Sequence, residues 1–73
     1  MKAFGYEVDS EKLLKLNEVT LQCDSEELRS LAIFFKECAD EMDACEDWEH
    51  EHFPNELESV DQPSVIVYRE MKS

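Results

Sequence analysis

The string Trp48-Glu49-His50-Glu51-His52-Phe53 carries the densest chemistry in the sequence. On an extended segment, Trp48, His50 and His52 share one face. Two imidazoles at i and i+2 can hold one transition metal, with Cys45 or Asp47 available as a further ligand. No second ligand pair with recognisable spacing accompanies His50 and His52. The interleaved glutamates give the histidines another use. Local negative charge favours the imidazolium form and pairs His with Glu near neutrality. A structural or interface role for the pair therefore outweighs a metal site, and no cofactor is expected. Trp48 admits two roles. Trp is enriched at binding hot spots, and a large aromatic beside a helix end also caps a small core.

The other reactive side chains are three cysteines, Cys23, Cys38 and Cys45. They are odd in number, and the N-terminal Met1-Lys2-Ala3-Phe4-Gly5-Tyr6-Glu7 has no apolar h-region of an export signal. They read as reduced thiols that serve as small apolar filler in a cytoplasmic protein. The longest apolar run, Leu31-Ala32-Ile33-Phe34-Phe35, falls far short of the ~20 residues that span a bilayer. Catalysis is poorly supported. Gly5 is the only glycine, so no Gly-rich loop can cradle a phosphate. Nothing marks a cysteine as activated. No catalytic residue is assigned, and the chain is expected not to be an enzyme.

Charge gives a stronger signal. Nineteen Asp and Glu against seven Lys and Arg leave a net charge of −12 over 73 residues. That argues against nucleic acid and anionic membranes, whose phosphates need clustered Lys and Arg. It favours basic protein partners. The charge is also uneven. No Lys or Arg occurs between Lys36 and Arg69, a stretch that holds Glu37, Asp40, Glu41, Asp43, Glu46, Asp47, Glu49, Glu51, Glu56, Glu58 and Asp61. A solvated helix face and loop would account for such a run. So would a recognition surface, since a basic partner relieves the self-repulsion and is steered by the field. Nucleases present basic substrate clefts, which a small acidic domain can block.

These residues need elements to position them, and 73 residues make one domain, 1–73, with a core too small for much reserve stability. Lys2 to Val8 alternates, with Phe4, Tyr6 and Val8 on the face expected to be buried. Gly5 within it marks close packing or a bulge. Asp9-Ser10-Glu11-Lys12 is a polar turn. From Leu13 to Cys23 a second strand carries Leu14 and Leu16 on one face. The parity then switches at Asn17-Glu18 to Val19, Leu21 and Cys23, so a bulge or a break is expected there.

The helix is the clearest element. Asp24 is placed as N-cap with Glu27 at N3, and Cys23 with Leu28 can form a hydrophobic staple. Apolar residues recur at Leu28, Leu31, Ala32, Phe35, Cys38, Ala39, Met42 and Cys45, a stripe at helical spacing over about 25–44. Ile33 falls on the polar face and Phe34 on the stripe's edge. Pro54-Asn55 reads as a turn and Val60-Asp61-Gln62-Pro63 as a loop. Ser64 to Glu70 is β-branched and apolar on both faces, as a central strand would be. The fold expected is α+β and two-layered. A small, mostly antiparallel sheet of 3–4 strands packs on one α-helix, and the other sheet face is open, or covered by a partner or a second copy.

Several strings together resemble a known family. They are Phe4-Gly5-Tyr6, Leu14-Lys15-Leu16-Asn17-Glu18-Val19-Thr20-Leu21, Ser25-Glu26-Glu27-Leu28-Arg29, Cys38-Ala39-Asp40-Glu41-Met42, His50-Glu51-His52-Phe53 and Pro63-Ser64-Val65-Ile66-Val67. The sequence resembles immunity protein family thirty-two of bacterial polymorphic toxin systems, nearly from end to end. The resemblance implies an α+β fold and a cytoplasmic inhibitor that binds a cognate toxin. It does not identify the toxin.

The reading that follows is a non-enzymatic cytosolic binding protein that occludes a basic toxin. The contact surface expected is the acidic arc Asp40, Asp43, Glu46 and Asp47, with Trp48, His50, His52 and Phe53 as anchors. The alternatives are a small homodimer that uses the open sheet face and a metal-binding module built on His50 and His52.

Overall fold

The computed structural model describes residues 1–54 and 63–70. Expectations for the turn at Asn55, the loop over 60–62 and the acids Glu56, Glu58 and Asp61 lie outside the described residues. The order of elements is β1 (Ala3–Gly5), β2 (Leu14–Leu16), α1 (Ser25–Ala44), β3 (His50–His52) and β4 (Ile66–Tyr68).

The helix forms where its capping signal stands. The Asp24 side chain accepts the Glu27 backbone N–H at 2.8 Å, and the Asp24 carbonyl accepts the Leu28 N–H at 3.0 Å. Removing such a cap typically costs about 0.5–2 kcal/mol. Glu26 and Glu27 put negative charge in the first turn, where the helix dipole welcomes it. Cys23 and Leu28, the proposed staple, are both exposed.

The face that α1 buries is rotated from the one expected. Leu31, Phe34 and Cys38 form the buried core, and Met42 is half-buried a turn further on. Phe34 is 6% exposed and Phe35 44%. Steps of three and four fit either phenylalanine, and tertiary packing selects Phe34. The Phe53 ring reaches it from the end of β3, with centroids 5.1 Å apart.

The strands form two separate antiparallel ribbons, β1 with β2 and β3 with β4, and not one sheet of three or four strands. Each strand has three residues. Such short strands offer a third strand few ladder bonds, and two-stranded ribbons twist most strongly. In the first ribbon Ala3 pairs with Leu16, Phe4 with Lys15 and Gly5 with Leu14. Its half-buried positions are Ala3, Gly5, Leu14 and Leu16, while Phe4, Tyr6 and Val8 are exposed, the reverse of the expected parity. Leucines at 14 and 16 need a small opposing surface, which Ala3 and Gly5 supply. A Cβ on Gly5 would stand 3.1 Å from Leu16 Cδ1, so the glycine marks close packing. The connection turns at Asp9, whose φ of 62° is left-handed, a conformation Asp tolerates better than most residues. Ser10 donates its backbone N–H to the Glu7 carbonyl at 3.1 Å. β2 stops at Leu16, just before Asn17-Glu18, so the parity switch marks a break and not a bulge.

In the second ribbon His50 pairs with Tyr68, Glu51 with Val67 and His52 with Ile66. Two bonds extend the ladder outward. Arg69 N–H donates to the Glu49 carbonyl and Phe53 N–H to the Val65 carbonyl, both at 2.8 Å. β4 is therefore an edge strand and not a central one. Val65 and Val67 are half-buried, while Ile66 and Tyr68 are exposed. Among the described residues, no helix is long and apolar enough to cross a membrane.

Candidate functional site

The acidic residues expected at the contact surface lie along the last turns of α1 and just beyond it. Asp40, Asp43, Glu46 and Asp47 are all exposed. Asp40 is held by Lys36 in an i,i+4 ion pair at 2.9 Å. That bond, followed by the Asp40 charge itself, holds the Lys36 ammonium above its ordinary value. Asp43, Glu46 and Asp47 make no ion pair among the described residues.

Trp48 is half-buried at the end of the turn that follows α1. Its backbone N–H donates to the Cys45 carbonyl at 3.2 Å, and its indole N–H donates to Glu41 Oε2 at 3.0 Å. Trp48 is thus tied to the helix on one side and open to solvent on the other. The two roles considered for it are compatible in this geometry.

The remaining anchors divide between the two faces of the second ribbon. Alternation along β3 places His50 and His52 on one face and Glu51 and Phe53 on the other. The His50 ring stacks on Tyr68 at 4.6 Å and 15°, and His52 meets it edge-on at 5.4 Å. His50 Nδ1 is buried without a hydrogen-bond partner. Phe53 turns towards α1 and packs on Phe34. Among the described residues, no group of three or more His, Cys, Asp or Glu side chains is placed to hold a metal ion. Among the described residues, no His, Cys, Asp or Glu joins His50 and His52 as a third ligand.

Two features of this region escape a reading of the sequence. One is Arg69. α1 has no basic residue in its last turn. Arg69, from the end of β4, supplies the charge. Its Nη2 donates to the carbonyls of Met42 and Cys45 at 2.7 and 2.8 Å, and its Nε donates to the Trp48 carbonyl at 2.8 Å. The hint in the sequence is that Arg69 is the first cation after Lys36.

The other is a cleft of about 460 Å³ between α1 and the β3–Pro54 segment. Ile33, Phe34 and Phe53 line it, and so do Glu37, Glu41 and Glu51, with the His52 imidazole reaching its edge from the other face of β3. Cys38 lies in the same cleft. Burial pushes its thiol up, and the charges of Glu41, Glu51 and Glu37 add to the effect. Cys38 is therefore a poor nucleophile, whereas Cys23 and Cys45 are exposed free thiols.

No curated protein matches the chain, and no solved structure matches it. A family model described as Immunity protein 32 matches residues 18–70, well over half of the chain and a span that takes in α1, β3, β4 and every residue of the candidate surface. The chain belongs to the Immunity protein 32 family.

Proposed function

We propose that this chain is a non-enzymatic cytosolic immunity protein that neutralises a cognate toxin by binding to it and covering its working surface. Membership of the Immunity protein 32 family over residues 18–70 carries the proposal. An inhibitor of this kind acts by occupation and needs no reaction chemistry of its own.

Two properties of the chain support a basic partner. The net charge is −12, and the stretch between Lys36 and Arg69 has no Lys or Arg of its own. The two cations that flank this stretch are engaged, Lys36 by Asp40 and Arg69 by three carbonyls. Asp43, Glu46 and Asp47, which are in no ion pair among the described residues, then join the Lys36-paired Asp40 in an arc that steers a basic surface, with Trp48, His50, His52 and Phe53 supplying contact area. A nuclease toxin has a substrate cleft of the required sign.

The decisive experiment is co-expression. Genes neighbouring this one are read for a toxin domain, such a domain is induced in a bacterial host with and without the chain, and the purified pair is assayed for a stoichiometric complex. Restored growth together with complex formation is the expected result. Unrelieved killing with no complex sinks the proposal.

A second reading is a homodimer through the outer face of the ribbons. Phe4, Tyr6, Ile66 and Tyr68 are all exposed there, with Tyr68 at 66%. Sedimentation at rising concentration tests it. A concentration-independent monomer mass removes it.

A further inference from the structure

The cleft between α1 and β3 combines an apolar floor with an acidic rim. Phe34 and Phe53 form the floor, their rings 5.1 Å apart. Ile33 stands at the mouth, 60% exposed, on a helix face that is otherwise polar. Glu37 and Glu41, one turn apart on α1, form one side of the rim, and Glu51 of β3 joins them. The three carboxylates and the Cys38 thiol line the same cleft.

Among the described residues, none of the three is in an ion pair. Glu41 Oε2 accepts the Trp48 indole N–H, which fixes the carboxylate, and among the described residues its other oxygen has no partner. Three like charges repel one another, and a cation admitted among them relieves that repulsion and offsets its own loss of hydration against the apolar floor.

We infer that this cleft receives an arginine side chain from a basic protein partner, its stem lying on Ile33 and Phe53 and its guanidinium held among Glu37, Glu41 and Glu51. Arginine suits the site better than lysine. Its planar fork bonds two carboxylates at once, it is more weakly hydrated than an ammonium, and its plane stacks on aromatic rings. The inference rests on the reading of the chain as a toxin-binding protein. It adds the cleft to a contact whose approach Asp43, Glu46 and Asp47 steer, with Phe53 shared between the cleft and the anchors.

The test uses the full chain and a fragment, so that it does not depend on the toxin. N-butylguanidinium is titrated into isotope-labelled protein and followed by NMR, with n-butylammonium and n-pentanol as comparisons. The expected result is a saturable set of shifts at the Ile33 methyls, the Phe53 ring and the rim carboxyls, with the guanidinium binding tightest. E37Q/E41Q/E51Q should weaken guanidinium binding by at least about tenfold, three charges being neutralised together. The Gln at position 41 keeps an acceptor for Trp48. D43N/E46Q/D47N, whose charges lie outside the cleft, should weaken binding far less. Ile33→Ala, at an exposed position, should weaken it severalfold with the fold intact.

Equal loss in both triple variants, or shifts scattered over the whole acidic surface, overturns the assignment. So does equal binding of n-pentanol, or a dimer at NMR concentration that Ile33→Asp abolishes. Those outcomes leave the immunity reading standing. A chain that takes the guanidinium in the cleft yet binds no toxin supports the cleft and sinks the immunity reading.

Discussion

Arg69 Nη2 donates to the Met42 carbonyl across 2.7 Å, joining the end of β4 to the last turn of α1. The last carbonyls of a helix have no partners within it and carry the negative end of its dipole. Here the cation that meets them comes from more than twenty residues away in sequence. The same side chain bonds the Cys45 and Trp48 carbonyls, so one guanidinium fixes the helix end, the following turn and the second ribbon together.

Arg69→Ala should therefore be among the most damaging single substitutions outside the core. It strips the guanidinium from the part-buried carbonyls of Met42 and Trp48, while the exposed Cys45 carbonyl keeps the Trp48 N–H, and hydrogen bonds to charged groups contribute about 1.5–3 kcal/mol each. A loss of at least about 2 kcal/mol is expected, read as a lower urea midpoint. Arg69→Lys should recover only part of it, because an ammonium cannot reproduce the fork. A midpoint unchanged in Arg69→Ala would show that water serves these carbonyls equally well.

Phe34 and Phe35 make a paired test of which face α1 buries. Phe34→Ala removes the ring at the centre of the core and should cost about 3–5 kcal/mol, enough to unfold much of so small a domain. Phe35→Ala, at a site 44% exposed, should cost about 1 kcal/mol or less. Equal losses in thermal or urea unfolding would contradict the packing of Phe34 on Phe53.

The limits of α1 are legible in the sequence because Asp24 and the acids that follow it act locally. The cap bond forms within one turn, and the helix spans Ser25–Ala44 as the pattern indicates. The break after Leu16 is legible for a similar reason, since a strand cannot change parity on its own. What the sequence does not disclose depends on distant partners. Phe34 and Phe35 are equivalent by spacing until Phe53 arrives. Phe4 and Ala3 compete for the inner face of β1 until Leu14 and Leu16 occupy the space opposite. The cleft is hidden most deeply, because Glu37 and Glu41 read as part of a solvated face until β3 places Glu51 beside them.

Cys38 carries a pH dependence with a definite sign. Burial, with the neighbouring carboxylates, pushes its thiol above the ordinary value of 9.0. The unfolded chain then releases this proton before the folded one does. The contribution to stability is fully present below about pH 9 and is lost as pH rises through the folded value. Urea midpoints measured from pH 8 to pH 10 should fall more steeply in the parent than in Cys38→Ala. Iodoacetamide at pH 8 should modify Cys23 and Cys45 well before Cys38 in the native state. Three equal rates would place Cys38 outside the core.

Trp48 should behave as both packing and contact residue. Trp48→Ala removes half-buried surface and the bond to Glu41, for a loss of about 2 kcal/mol in the free domain. Trp48→Phe keeps most of the packing and should lose about 0.5–1.5 kcal/mol with the hydrogen bond. If the exposed side of the ring meets the toxin, Trp48→Phe should also speed dissociation of the complex. Dissociation rates equal to the parent's would confine Trp48 to a structural role.

The acidic surface makes the final prediction, through the kinetics of association. At physiological salt the screening length is about 8 Å, so exposed charges such as Asp43 and Asp47 act mainly on the approach of a partner. The association rate with the toxin should fall steeply as salt rises, with a smaller change in dissociation. Charge reversal at Asp40, Asp43 and Asp47 should slow association while leaving the fold intact. Reversal at Asp43 and Asp47 relieves self-repulsion, whereas reversal at Asp40 forfeits only the exposed pair with Lys36, which contributes little. Neutralising the cleft rims at Glu37 and Glu51 should act on the other rate. A guanidinium held there is partly desolvated, so its loss shows in faster dissociation. Stopped-flow association and dissociation measured at several salt concentrations separate the two sets. Salt-independent association that ignores the three reversals would remove the arc from the encounter, and faster dissociation confined to the rim variants would leave the cleft as the anchor.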